Sequence, residues 1–121
     1  ALAGGLHRLS RQIPMKQAMG MILTGRRVMA EEGYKLGFVT EVVPEGGALE
    51  GARRWAELIL ECSPVSIRTS KDVVLRGQQY ASADQAIAAE YQSVVDMRNS
   101  LDFIEGPLAF SEKRAPDWKG R

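Results

Sequence analysis

The sequence predicts a mainly α-helical globular chain with one short strand. Three observations lead there. Apolar residues recur at helical spacing through much of the 121 residues. Serine, glycine and proline stand where helices begin and end. One short β-branched run, FVTEVV at 38–43, breaks the helical pattern. At 45% hydrophobic and 26% charged, the composition is that of a folded domain rather than a disordered chain.

Taken in order, LHRLSRQI forms a short helix after Gly4-Gly5. Pro14 suits the first position of a second helix, MKQAMGMIL, which Gly25 stops. AEEGYKLG is a third, ending at Gly37. FVTEVV is the strand, closed by Pro44 and the turn residues Gly46-Gly47. Leu49, Ala52, Trp55, Ala56, Ile59 and Leu60 then share one helical face, with Arg53, Arg54 and Glu57 largely on the other. Ser63-Pro64 pairs an N-cap with proline at the first helical position and starts a helix reaching about Gln79. Ser82 caps a helix striped by Ala86, Ile87, Glu90, Tyr91, Val94 and Val95. Ser100 or Asp102 caps the last helical segment. Gly106-Pro107 is expected to interrupt it, because proline costs a helix interior about 3 kcal/mol. The tail APDWKGR is irregular.

A single strand cannot satisfy its own backbone groups when buried. FVTEVV therefore needs a partner outside the chain. The chain also opens without methionine, and both facts lead us to expect that it begins inside a larger protein.

Charge and composition exclude several classes of function. A net charge of +1 gives no basic field for nucleic acid or a membrane surface. No apolar run approaches the roughly 20 residues that span a bilayer. The one cysteine, Cys62, cannot build an intrachain disulfide; it reads as a small buried hydrophobe in a reducing, cytoplasmic compartment. His7, the one histidine, has no ligand partner at metal spacing and reads as part of an exposed helix face.

Carboxylate pairs for acid–base work must converge on one point. Glu31 and Glu32 are neighbours on a helix and diverge. Asp102 and Glu105 can share a face, but at a helix start they read as partners of its dipole. Gly4-Gly5 can offer amides to an anion or reacting oxygen, or can simply make a close-packed turn. Lys113 and Arg114 can grip a phosphate or belong to a solvated face. No complete catalytic constellation emerges from these residues.

Three stretches, in order, resemble the enoyl-CoA hydratase/isomerase (crotonase) family: AGGLHRLSR at 3–11, LTGRRVMAEEGYKLGFVTEVVP at 23–44 and IEGPLAFSEKRAPDWKGR at 104–121. The last is especially similar to the carnitine racemase-like branch. The resemblance spans the chain but only about the C-terminal half of a full-length family member. It implies the C-terminal part of an α/β spiral fold, with residues 1–45 closing the spiral core and 46–121 forming a helical trimerisation region. It also implies an acyl-CoA substrate with no further cofactor or metal, and a homotrimer or dimer of trimers. The chemistry implied is hydration, dehydration or isomerisation through a thioester enolate held by backbone amides.

On this resemblance the catalytic glutamates would precede Ala1, and Glu31, Glu32, Glu105 and Glu112 match none of them. Leu2, Ala3, Gly4 and Gly5 would form part of the active-site wall. Typical hydratases carry Pro-Gly where this chain has Ala1 and Leu2, which implies an altered substrate. Val94 falls where the family often places a phenylalanine beside the CoA adenine. Lys113 matches a lysine that approaches the CoA phosphates. Two readings follow: the trimerising, CoA-edge part of an acyl-CoA enzyme, or a helical module derived from the family that only oligomerises or binds a partner.

Overall fold

The computed structural model describes residues 3–121. The chain divides into two compact units, Ala1–Ala52 and Arg53–Arg121.

The first unit contains α1 (Gly5–Gln12), α2 (Met15–Thr24) and α3 (Ala30–Leu36). α1 packs against α2, and Ile13 and Ala18 are buried. Gly25 (φ 60°) and Gly37 (φ 90°) close α2 and α3 in the left-handed region, where a Cβ is penalised. The Gly25 amide donates back to the Met21 carbonyl. Pro14 is the residue before the first turn of α2 rather than its first helical residue.

FVTEVV forms no strand: no strand occurs among the described residues. Its first amides are committed elsewhere. The N–H groups of Gly37, Phe38 and Val39 all donate to the Gly33 carbonyl, at 3.0, 3.1 and 3.2 Å, and so close α3. β-branched residues favour extended backbone, but a strand also needs a ladder partner, which the described residues do not supply.

α4 (Ala48–Leu60) runs across the boundary between the units. The predicted helix is there, but its apolar stripe is not buried. Trp55 is 44% exposed and Leu60 78%. Cys62 also differs from expectation. α4 ends at Leu60, so Cys62 lies in the following turn, exposed, with its thiol donating to the Leu58 carbonyl at 3.7 Å.

The second unit holds α5 (Pro64–Gly77), α6 (Ala83–Ala88), α7 (Gln92–Arg98) and α8 (Leu101–Glu112). α5 packs against α6 and α7, and α7 against α8. Three serines start helices. Ser63, Ser82 and Ser100 each accept the amide of the residue three positions on, at 3.2 Å. Ser100 is therefore the cap of α8, and Asp102 lies in its first turn.

Two helix boundaries depart from the sequence reading. The stripe from Ala86 to Val95 is split between α6 and α7 by extended backbone at Ala89 and Tyr91. The break turns Tyr91 inward, where it is 8% exposed and its hydroxyl donates to the Ala86 carbonyl at 3.0 Å, ending α6. Conversely, Gly106-Pro107 does not interrupt α8, which continues to Glu112. Pro107 removes the bond to the carbonyl four residues back, and tertiary contacts on either side of it offset that loss. Ala109 is 2% exposed, and the Trp118 ring lies over Gly106, where an added Cβ would sit 3.4 Å from it. Phe110, beyond the proline, is 87% exposed.

Candidate functional site

The C-terminal end of the second unit is organised by two carboxylates of α8. Helical spacing places Asp102 and Glu105 on one side of it, and both face the tail that follows. Asp102 is 4% exposed, the one buried charged side chain among the described residues. It accepts the Ser63 hydroxyl at 2.7 Å and the Lys119 and Gly120 amides at 2.7 and 3.0 Å. Burial opposes its ionisation. The bonds from Ser63 and from the amides of Lys119, Gly120 and Val65 together outweigh that cost and hold its pKa below the usual aspartate value.

Glu105 holds the start of the tail. Arg114 forks onto it, with Nη1 at 2.5 Å and Nη2 at 3.0 Å, and the Asp117 amide donates to it at 2.7 Å. The guanidinium, then the amide, bring the Glu105 pKa down to about 2 against the opposing effect of burial. Arg114 also donates through Nε to Glu112 at 2.6 Å, and the two carboxylates raise its pKa. Further along, Trp118 Nε1 donates to the Glu61 carbonyl at 2.9 Å, Arg68 to the Gly120 carbonyl at 3.1 Å, and the Leu101 amide to the Arg121 carbonyl at 2.7 Å. Every buried side-chain nitrogen or oxygen among the described residues has a hydrogen-bond partner.

This clamp begins one residue beyond Lys113. The lysine terminates α8 in the left-handed region, φ 54° and ψ 40°, with its side chain exposed. Its neighbour Arg114 is engaged by two carboxylates.

A second feature of this unit is an apolar groove of about 830 Å³ among α5, α6 and α7. Val74, Ala86, Tyr91, Val94 and Val95 line it, with Arg98 at its polar margin. Beside it, Asp72 of α5 accepts the Ser93 hydroxyl of α7 at 2.7 Å and the Arg76 guanidinium at 2.7 Å. The Ser93 bond, then Arg76, keep the Asp72 pKa low against burial.

The structure distributes the sequence-predicted residues as follows. Val94 lines the groove, and Lys113 is not among the groove's lining residues. Ala3, Gly4 and Gly5 belong to the first unit. Ala3 (φ 57°) and Gly4 (φ 86°) form a left-handed pair, and the Gly4 carbonyl accepts the His7 and Arg8 amides at the start of α1. Leu2 lies outside the described residues. His7 is exposed on α1. Glu32 pairs with Arg26, which lowers its pKa, and shares no site with Glu31. Among the described residues no cluster of three His, Cys, Asp or Glu side chains could hold a metal, and no helix is long and apolar enough to cross a membrane. Sequence reasoning missed the pairing of Asp102 and Glu105 with the tail. The signal available was the position of two acids one turn apart, followed by a basic, tryptophan-bearing end.

A helical chain closed by a carboxylate-held basic tail has clear relatives. The family model described as Enoyl-CoA hydratase/isomerase matches residues 1–121, and the chain belongs to that family. It is 36% identical to a carnitinyl-CoA dehydratase of Salmonella typhi over 127 aligned residues, covering 98% of this chain and 47% of that protein. It is 35% identical to the carnitinyl-CoA dehydratase of Escherichia coli K12, covering 98% and 47%. The chain thus spans about half the length of the curated relatives it matches, in their C-terminal half. Among solved structures it is similar to an enoyl-CoA hydratase from Mycobacterium marinum, with TM-score 0.92 and 35% identity over 100% of this chain and 48% of that one. An enoyl-CoA hydratase from Bacillus anthracis gives TM-score 0.89 and 36% identity, over 98% and 46%.

Proposed function

We propose that this chain acts as the C-terminal, coenzyme-A-facing portion of a hydratase, dehydratase or isomerase of acyl-CoA thioesters. One observation carries the reading: the family match runs over residues 1–121 and falls on the C-terminal half of the relatives. In this reading the thioester enolate is stabilised by backbone amides and worked on by acids that this chain does not contribute. Asp102 and Glu105 are unsuited to that work. Both are held ionised and engaged by donors, and a general base must keep a lone pair available at a suitable pKa. Lys113 supplies a compact cation to the phosphates of coenzyme A. Val94 borders the nucleotide base, and Leu2, Ala3, Gly4 and Gly5 form wall near the acyl group. Residues 1–45 act as the end of the spiral core and 46–121 as the region that assembles homotrimers or dimers of trimers.

The test is a calorimetric titration of the chain with coenzyme A. Replacing Lys113 by Ala should weaken binding about tenfold, the effect of one charge-assisted phosphate contact. Equal affinity in the two forms, or no binding by either, contradicts the assignment.

A second reading, a non-enzymatic helical module that assembles with copies of itself or a partner, is favoured by the exposed apolar faces of α4 and α8. Ile59 is 50% exposed and Ile104 66%. Sedimentation showing self-association together with silent coenzyme A titrations would select it.

A further inference from the structure

Lys113 stands in a backbone conformation that costs an L-residue roughly 1–2 kcal/mol. Such a turn persists only where its surroundings impose it. The backbone contributes bonds from the Lys113 amide to the Ala109 and Phe110 carbonyls, the latter at 3.3 Å, and from the Arg114 amide to Ala109 at 3.1 Å. The stronger tie comes from the next residue. Arg114 reaches back along α8 to fork onto Glu105, and the Asp117 amide lands on the same carboxylate. Glu105 therefore pins the chain at Arg114 and at Asp117, both beyond the lysine. Glu112 meets the same guanidinium only through Nε.

We propose that Glu105 is a positioning residue for Lys113: by holding Arg114 and Asp117 it sets the left-handed turn that aims the lysine ammonium at a phosphate-bearing ligand. The proposal rests on the reading of Lys113 as a coenzyme A contact. Glu105 never touches the ligand and acts only through the turn. Asp102 anchors Lys119 and Gly120 further on and leaves that turn to Glu105.

The experiment uses the 121-residue chain with Glu105→Gln, Lys113→Ala, the double variant, and Glu112→Gln as the comparison that spares the fork. Amide exchange at Lys113 and Arg114 is read by NMR, and coenzyme A affinity by calorimetry. Glu105→Gln should speed exchange at both amides and weaken coenzyme A about tenfold, comparable to the cost of ordering a long side chain on binding. The double variant should bind no more weakly than Lys113→Ala, because Glu105 acts through the lysine. Glu112→Gln should do less on both readouts. Unchanged exchange in Glu105→Gln, or losses that add in full, overturn the proposal. If Lys113→Ala leaves coenzyme A binding unchanged, the ligand reading fails, and the exchange data still decide whether Glu105 holds the turn. Should Glu105→Gln fail to fold, Arg114→Lys keeps the charge and loses the fork, and must loosen the same two amides.

Discussion

The two units close their helices by different means. In residues 1–52 the helix ends are backbone devices: Gly25 and Gly37 turn left-handed, and α1, α2 and α3 have no side-chain cap. The side-chain bonds of Ser10, Thr24 and Arg26 are local, reaching two to six residues. In residues 53–121 α5, α6 and α8 start on serine caps, and side chains bridge long stretches of sequence. Ser63 reaches Asp102 across 39 residues, and Trp118 reaches Glu61 across 57. Local devices set where a helix stops. Long-range polar ties fix which helices of the second unit meet and where the tail lies.

The sharpest way to break this contrast is at Asp102. Asp102→Asn turns an amide toward donors that need an acceptor, and leaving buried donors unpaired is costly. It should give the largest fall in thermal midpoint of any substitution considered, several degrees, followed by circular dichroism. Next, Trp118→Ala removes the ring over Gly106 and the bond to Glu61. We expect a loss of about 2 kcal/mol in denaturant unfolding, less than for a fully buried tryptophan. Ser63→Ala deletes a cap and one Asp102 donor together and should cost about 1–2 kcal/mol. In the first unit, Gly25→Ala forces a Cβ into the left-handed region and should cost about 1 kcal/mol. Hydrogen exchange should place the weakened amides around α2, leaving α5 to α8 as they were.

A gentler probe is pH. Glu105 has a folded pKa of about 2 against an ordinary 4.5, so the folded state favours its ionised form. Its contribution to stability is fully present above pH 4.5 and is lost as pH falls toward 2. Glu105→Gln should flatten the acid limb of the stability profile in that window and leave the neutral limb parallel to wild type.

Much of the helical framework was legible in the sequence because its signals are local. Ser63-Pro64 and Ser82 announce helix starts, Gly25 and Gly37 announce stops, and the three family stretches announce the fold. What was not legible depends on tertiary partners. FVTEVV has strand composition, yet its leading amides close α3. Pro107 has the composition of a break, yet contacts at Ala109 and Trp118 carry α8 past it. The stripe ending at Val95 is helical in period, yet burying Tyr91 splits it. Cys62 and the α4 stripe look like core and are exposed. Of the site, Lys113 was visible through its motif. The roles of Asp102 and Glu105 were not, because carboxylate partners 9 to 39 residues away leave no periodic trace.

The central claim is that α8 uses its acids to hold the tail rather than to do chemistry. Amide exchange at Lys119 and Gly120, followed in the wild-type chain and in Asp102→Asn, tests it most directly. The account predicts protection comparable to α8 in the wild type and its collapse in the variant. Amides that exchange freely in both, or that stay protected in both, would contradict it.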